Sequence, residues 1–114
     1  MNTRIHYGYR DGANYKQAGS FVITGEVTPE QFKRLRGACA LEDNNLFFVP
    51  EAVGILPLQP SWDNDIDHPM HTLGDFEPTE ESTLDERTII HLLADFCGRD
   101  WLNEAAKVTR ARKA

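Results

Sequence analysis

Arg4-Ile5-His6-Tyr7-Gly8-Tyr9-Arg10, residues 4–10, changes side-chain character at almost every step. A strand turns successive side chains to opposite faces, so Ile5, Tyr7 and Tyr9 share one face, while Arg4, His6 and Arg10 share the other with Gly8. A helix would scatter the same residues around its circumference. The stretch therefore predicts a half-buried strand, and a sheet becomes the frame for the rest of the chain. Asp11-Gly12-Ala13-Asn14 supplies turn chemistry. Residues 19–26, rich in β-branched and aromatic side chains, read as the antiparallel partner.

Thr28-Pro29-Glu30-Gln31 combines a Thr N-cap, a proline at the first helical position and Gln at the capping-box position. Phe32, Leu35 and Cys39 follow on one stripe, which predicts an amphipathic helix. Residues 46–49 form a short apolar run suited to a buried strand. Residues 50–60 hold three prolines among apolar side chains and predict an ordered loop against the core. A further strand is expected over residues 70–77, with Met70, Thr72, Gly74 and Phe76 alternating. Thr83-Leu84-Asp85-Glu86 repeats the capping-box pattern and predicts a helix carrying Ile89, Leu92, Leu93 and Phe96, with Gly98 at its end. A short helical piece is expected around Trp101 and Leu102, and residues 107–114 read as a basic flexible tail.

The order β-β-α-β-(β)-α predicts an α+β fold of two layers: a three- to four-stranded, mostly antiparallel sheet with two main helices on one face. Residues 1–106 are expected to form a single domain, because 114 residues is close to the modal domain size. A hydrophobic fraction of 40% with 26% charged residues is globular composition. No apolar run approaches the roughly 20 residues of a membrane helix, and residues 1–10 do not read as a secretory signal, so the cytoplasm is the expected location. Cys39 and Cys97 are expected as free thiols on apolar helix faces, since neither belongs to a C-x-x-C pair.

The net charge of −6 is unevenly distributed. Residues 1–40 carry six bases against three acids, residues 87–114 do the same, and residues 41–86 carry twelve acids with no Lys or Arg. Such a field disfavours nucleic acid locally and favours cations or a basic protein surface.

At the centre of the acidic segment stands Asp63-Asn64-Asp65-Ile66-Asp67-His68-Pro69-Met70-His71. The D-x-D-x-D opening matches a calcium loop, but the sixth position is His68 where glycine is required, and the twelfth is Gly74 where a bidentate Glu belongs. His68 and His71 could serve a divalent metal such as zinc with Asp67, and Asp65 could join them. On an extended strand residues three apart face opposite ways, so that site needs a bend at Pro69. A metal-dependent hydrolase using Asp65, Asp67, His68 and His71 is the enzymatic alternative. No nucleophile motif or phosphate loop accompanies it, and no catalytic residue is assigned.

Tyr9-Arg10-Asp11 with Asn14-Tyr15-Lys16, together with Asp67-His68 and His71, resembles a group of small uncharacterised bacterial proteins that pair a Y-R-D…N-Y-K opening with a D-H-x-x-H segment. The resemblance spans most of residues 7–96. It implies a free-standing bacterial, phage or mobile-element protein and supplies no catalytic residue.

The reading the residues favour is a non-enzymatic interaction protein that needs no cofactor and presents the acidic segment 41–86 to a basic partner. Asp63, Asp65 and Asp67 would steer the encounter, and Trp62, Met70 and Phe76 would be the apolar anchors. A phage-type inhibitor imitating nucleic-acid charge belongs to the same class.

Overall fold

The alternation in residues 4–10 is realised as β1 (Asn2–Arg10) of the computed structural model, which describes residues 1–42, 44–59 and 61–113. Thr3, Ile5, Tyr7 and Tyr9 are buried on one face of β1, as a period-two strand with a covered side requires. β2 (Lys16–Ile23) pairs with it antiparallel from Thr3↔Ile23 to Arg10↔Lys16. The connection is closed by Asp11, whose Oδ1 accepts the N–H groups of Ala13 and Tyr15, both at 2.9 Å, and Asn14 takes a positive φ of 70°.

The expected capping box opens α1 (Pro29–Gly37): the Gln31 N–H donates to Thr28 Oγ1 and the Thr28 N–H donates to Gln31 Oε1. Its buried residues are Phe32 and Leu35, and Cys39 lies beyond its end. β3 (Ala40–Glu42) and β4 (Asn45–Phe48) then form an antiparallel pair. A 3-10 turn at Pro50–Val53 and a loop whose Val53 and Ile55 are buried lead toward β5 (His71–Thr79). α2 (Ile89–Phe96) and α3 (Trp101–Lys113) complete the described chain.

The sheet order is β2-β1-β5-β4-β3, with every neighbouring pair antiparallel. Ile5, Tyr7, Ile23, Phe48 and Leu73 from the strands share one apolar cluster with Phe32, Leu35, Ile89, Leu92, Phe96 and Trp101 from the helices. The helices therefore cover the Ile5–Tyr7 face of the sheet. Phe48, Phe96 and Trp101 meet ring to ring, with centroids 5.2–6.3 Å apart. Such pairs contribute about 0.5–1.5 kcal/mol each beyond area burial. The Trp101 indole N–H donates to Ala38 O at 2.7 Å, so its one polar atom is satisfied.

The α+β class holds, and several details differ from expectation. Among the described residues the sheet has five strands, where three or four were expected, and there are three α-helices, where two main ones were expected. The added strand is β3. The helix expected from Thr83 is α2, and its N-cap is Thr88. Thr83 Oγ1 donates to Val22 O and accepts the Asp85 N–H, so that hydroxyl closes a turn and pins residues 83–85 to β2. Over Lys107–Lys113 the expected tail is the second half of α3, because Ala105 and Val108 continue the stripe begun by Trp101 and pack on the core. Ala114 lies outside the described residues. Cys97 is exposed at the end of α2, and Cys39 is half-buried.

A register shift in β5 has the largest effect on side-chain placement. Ile5 pairs with Phe76 and Tyr7 with Leu73, so β5 carries one extra residue opposite His6. Gly74 sits in this bulge, where an added Cβ would lie 2.9 Å from His6 O. The bulge inverts the alternation after Leu73. Phe76 therefore turns to the helix side and packs on Phe32 at 4.4 Å between ring centroids, while Thr72 stays on the opposite face.

Candidate interaction site

Tyr9, the last buried residue of β1, organises the loop over residues 61–69. Its hydroxyl donates to Asp67 Oδ1 at 2.6 Å and accepts the His68 N–H at 3.3 Å. Burial together with the adjacent carboxylate pushes the phenol up to about 12. Asp67 uses its other oxygen to accept the Asp63 N–H at 2.7 Å, and the Asp67 N–H donates back to Asp63 O at 2.8 Å. Asp63 Oδ1 accepts the Asp65 N–H at 2.9 Å. The D-N-D-I-D run is thus a turn tied by its own aspartates, and the Gly12 N–H donates to Ile66 O at 2.8 Å to fix it against the β1–β2 connection.

The two histidines are held separately. His68 Nδ1 accepts the Met70 N–H, which places the proton on Nε2, and Nε2 donates to Arg10 O at 2.8 Å. His71 is fully buried; its Nε2 accepts the Leu58 N–H at 3.0 Å and its Nδ1 donates to Pro69 O at 3.0 Å. Burial pushes the His71 imidazolium down to about 4, so the ring is neutral near pH 7. Its ring lies 4.9 Å from that of Tyr9 and 5.9 Å from that of Tyr7. A metal needs an unengaged imidazole lone pair. In both rings that lone pair already accepts a backbone N–H, and Asp67 is bonded through both oxygens. The set His68, His71 and Asp67 does not fit a divalent metal as folded. Among the described residues no group of three His, Cys, Asp or Glu side chains is disposed to hold one.

Four carboxylates of the acidic segment meet basic side chains from the rest of the chain. Glu51 meets Arg112 at 3.1 Å, Glu77 meets His6 at 3.0 Å, and Glu81 pairs with Arg4. Arg87 holds Asp85 at 2.8 Å and Asp95 at 3.2 Å, and the guanidinium keeps the Asp85 carboxyl below the usual carboxylate range. Asp43 lies outside the described residues. Asp63 and Asp65 are exposed and make no ion pair among the described residues. Beside them stand Asp11, likewise without an ion pair there, and the exposed ring of Tyr15. Tyr15, Asp11, Asp63 and Asp67 line a cleft of about 320 Å³.

The anchors expected next to the carboxylates are dispersed. Trp62 is half-buried, donates to Asn64 Oδ1 at 2.7 Å and lies 5.6 Å beneath the Arg112 guanidinium. Met70 lines a cavity on the uncovered face of the sheet, and Phe76 belongs to the helix-side packing. In the sequence Asp11 belongs to a turn and, with Tyr15, to the Y-R-D…N-Y-K opening, and neither carries a binding role there. Only the pairing of β1 with β2, which brings the hairpin tip beside residues 61–67, gives them a place at the cleft. No helix of the described residues is long and apolar enough to cross a membrane. No protein-family model, curated protein or solved structure matches the chain.

Proposed function

We propose that the protein is a non-enzymatic interaction protein that receives a basic side chain of a protein partner in the cleft between the β1–β2 connection and residues 61–67. The observation that carries this reading is the charge pairing. Glu51, Glu81 and Asp85 are matched by the chain's own arginines, whereas Asp11, Asp63 and Asp65 are left without a cation among the described residues. Glu42, Asp75, Glu80 and Glu86 also make no ion pair among the described residues, and what sets the cleft apart is that Asp11, Asp63 and Asp67 line it together with Tyr15. A Lys or Arg entering there meets carboxylates in a preformed turn and the exposed face of Tyr15, so electrostatic steering and a cation–π contact act together. Asp67 supports the turn from within, and Trp62 under Arg112 forms part of its shoulder.

The test is binding of a synthetic Arg- and Lys-rich peptide, followed by fluorescence anisotropy at low and raised salt. Binding that weakens with salt and falls by roughly tenfold in the Asp63→Asn, Asp65→Asn double variant is the expected result, since two solvent-exposed ion pairs contribute about 0.2–1 kcal/mol each. Binding unchanged by salt and by the double variant would sink the reading. Stoichiometric zinc or manganese in protein purified without an affinity tag, lost in His68→Ala, would support the metal-dependent alternative in its place.

A further inference from the structure

The helices cover one face of the sheet, and the other face carries a trough. The register aligns Ala18, Gly8, Thr72 and Phe47 in a row across β2, β1, β5 and β4. Adjacent strands are about 4.8 Å apart, so three small side chains in succession leave a shallow floor about 10 Å wide. Phe47 and Met70 border it, and the open trough has a volume of about 710 Å³. Small-ligand sites occupy roughly 300–1,000 Å³. The floor is closed to its own side chains: a Cβ on Gly8 would lie 3.2 Å from Thr72 Oγ1, which already donates to Gly8 O at 3.3 Å.

The charges on this face are not equivalent. Arg4 is paired with Glu81 and His6 with Glu77, both away from the trough. Arg10 and Lys16 are register partners, lie two residues beyond Gly8 and Ala18 on the same face, and line the trough. Neither makes an ion pair among the described residues. Asp11 also lines the trough at that end, with its Oδ1 taken by the Ala13 and Tyr15 N–H groups, so two cations stand against one carboxylate there. Glu42 stands at the far end, on β3, and disfavours a second negative group there.

We propose that the trough binds a small monoanion built on a flat aromatic ring, with the ring on the Gly8–Thr72 floor against Phe47 and Met70 and the anionic group between Arg10 and Lys16. A flat body fits because peptide backbone and small side chains form the floor, and an apolar one because Phe47 and Met70 form the border. The two cations select the sign of the head group, and Glu42 limits the ligand to one such group.

The experiment is ligand-observed NMR titration of the full chain with 2-naphthoate, the uncharged 2-naphthylmethanol and naphthalene-2,6-dicarboxylate. The 2-naphthoate is expected to bind roughly tenfold more tightly than the alcohol, and the dicarboxylate more weakly than 2-naphthoate. The Lys16→Glu, Arg10→Glu double variant should lose that preference. Ala18→Phe, an exposed edge-strand change that fills the trough without touching either charge, should abolish binding of both, with far-UV circular dichroism confirming the fold. The Asp63→Asn, Asp65→Asn variant should bind 2-naphthoate as the parent does, which separates this site from the acidic cleft. Three results would each overturn the proposal: no binding of 2-naphthoate at millimolar concentration, equal binding of the alcohol, or undiminished binding by either trough variant.

Discussion

His68 and His71, three residues apart, carry their protons on opposite ring nitrogens: Nε2 in His68, donating to Arg10 O, and Nδ1 in His71, donating to Pro69 O. The bend at Pro69 that a shared metal would require instead delivers each ring to a different part of the backbone. His71 thereby joins the core as a neutral group. Its folded-state value of about 4 lies below the ordinary 6.5. Between those values the unfolded chain binds a proton that the folded chain does not, so stability present above about pH 6.5 is lost as the pH falls toward 4. The loss amounts to about 3 kcal/mol. Urea unfolding across this range should show the decline, and His71→Phe should remove its share of the slope whatever its effect on stability at pH 7.

Tyr9→Phe removes one hydroxyl that serves both Asp67 and the His68 N–H. The expected cost is about 1–2 kcal/mol. Amide exchange should accelerate at Ile66 and Asp67, whose N–H groups close the turn on Asp63 O. Unaltered exchange there would show that the turn stands without its tie to β1.

Arg87 bonds Asp85, Asp95 and the carbonyl of Val53, joining the segment before α2 to the 3-10 turn and to α2 itself. Arg87→Met should destabilise by about 2 kcal/mol, because it leaves part-buried carboxylate and carbonyl oxygens without their donor. The Asp85 carboxyl is depressed by this contact. Its contribution is present above the ordinary carboxylate range and is lost as the pH falls through the lowered value. Acid unfolding of Arg87→Met should lack that component.

Cys97 is exposed, whereas Cys39 is half-buried, bonds to Leu35 O, and is pushed by burial up to about 12. A thiol reagent such as 5,5′-dithiobis(2-nitrobenzoate) should therefore modify Cys97 promptly and Cys39 only when the chain opens, since the thiolate is the reacting form. Mass spectrometry of the labelled peptides reads the order directly.

The parts of this architecture visible in the sequence are those governed by local rules. The period-two pattern of residues 4–10 and the Thr28–Gln31 box each fix their element without outside help. Thr83 was misleading because a hydroxyl followed by an acid describes a turn as well as a cap, and the distant Val22 carbonyl decides between them. The true cap at Thr88 uses His91 as the reciprocal acceptor, with the Thr88 N–H donating to His91 Nδ1 at 3.2 Å, so it lacks the usual Glu or Gln. β3 escaped notice because its largest side chain, Leu41, is exposed. The candidate site was half legible: its carboxylates were visible, but the bulge at Gly74 that carries Phe76 away from them belongs to the pairing of residues some 70 positions apart.

The central place of β5 bears on how the chain assembles. β1 with β2, and β3 with β4, are hairpins that close on nearby sequence, yet neither touches the other in the sheet order β2-β1-β5-β4-β3. They become one sheet only when the strand at residues 71–79 enters between them. Loop closure over such separations is slow relative to hairpin formation. Two independently formed halves waiting on a late keystone should fold with a rate set by the insertion of β5, and substitutions in the Gly74 bulge should act on that rate more strongly than equal losses of stability in either hairpin.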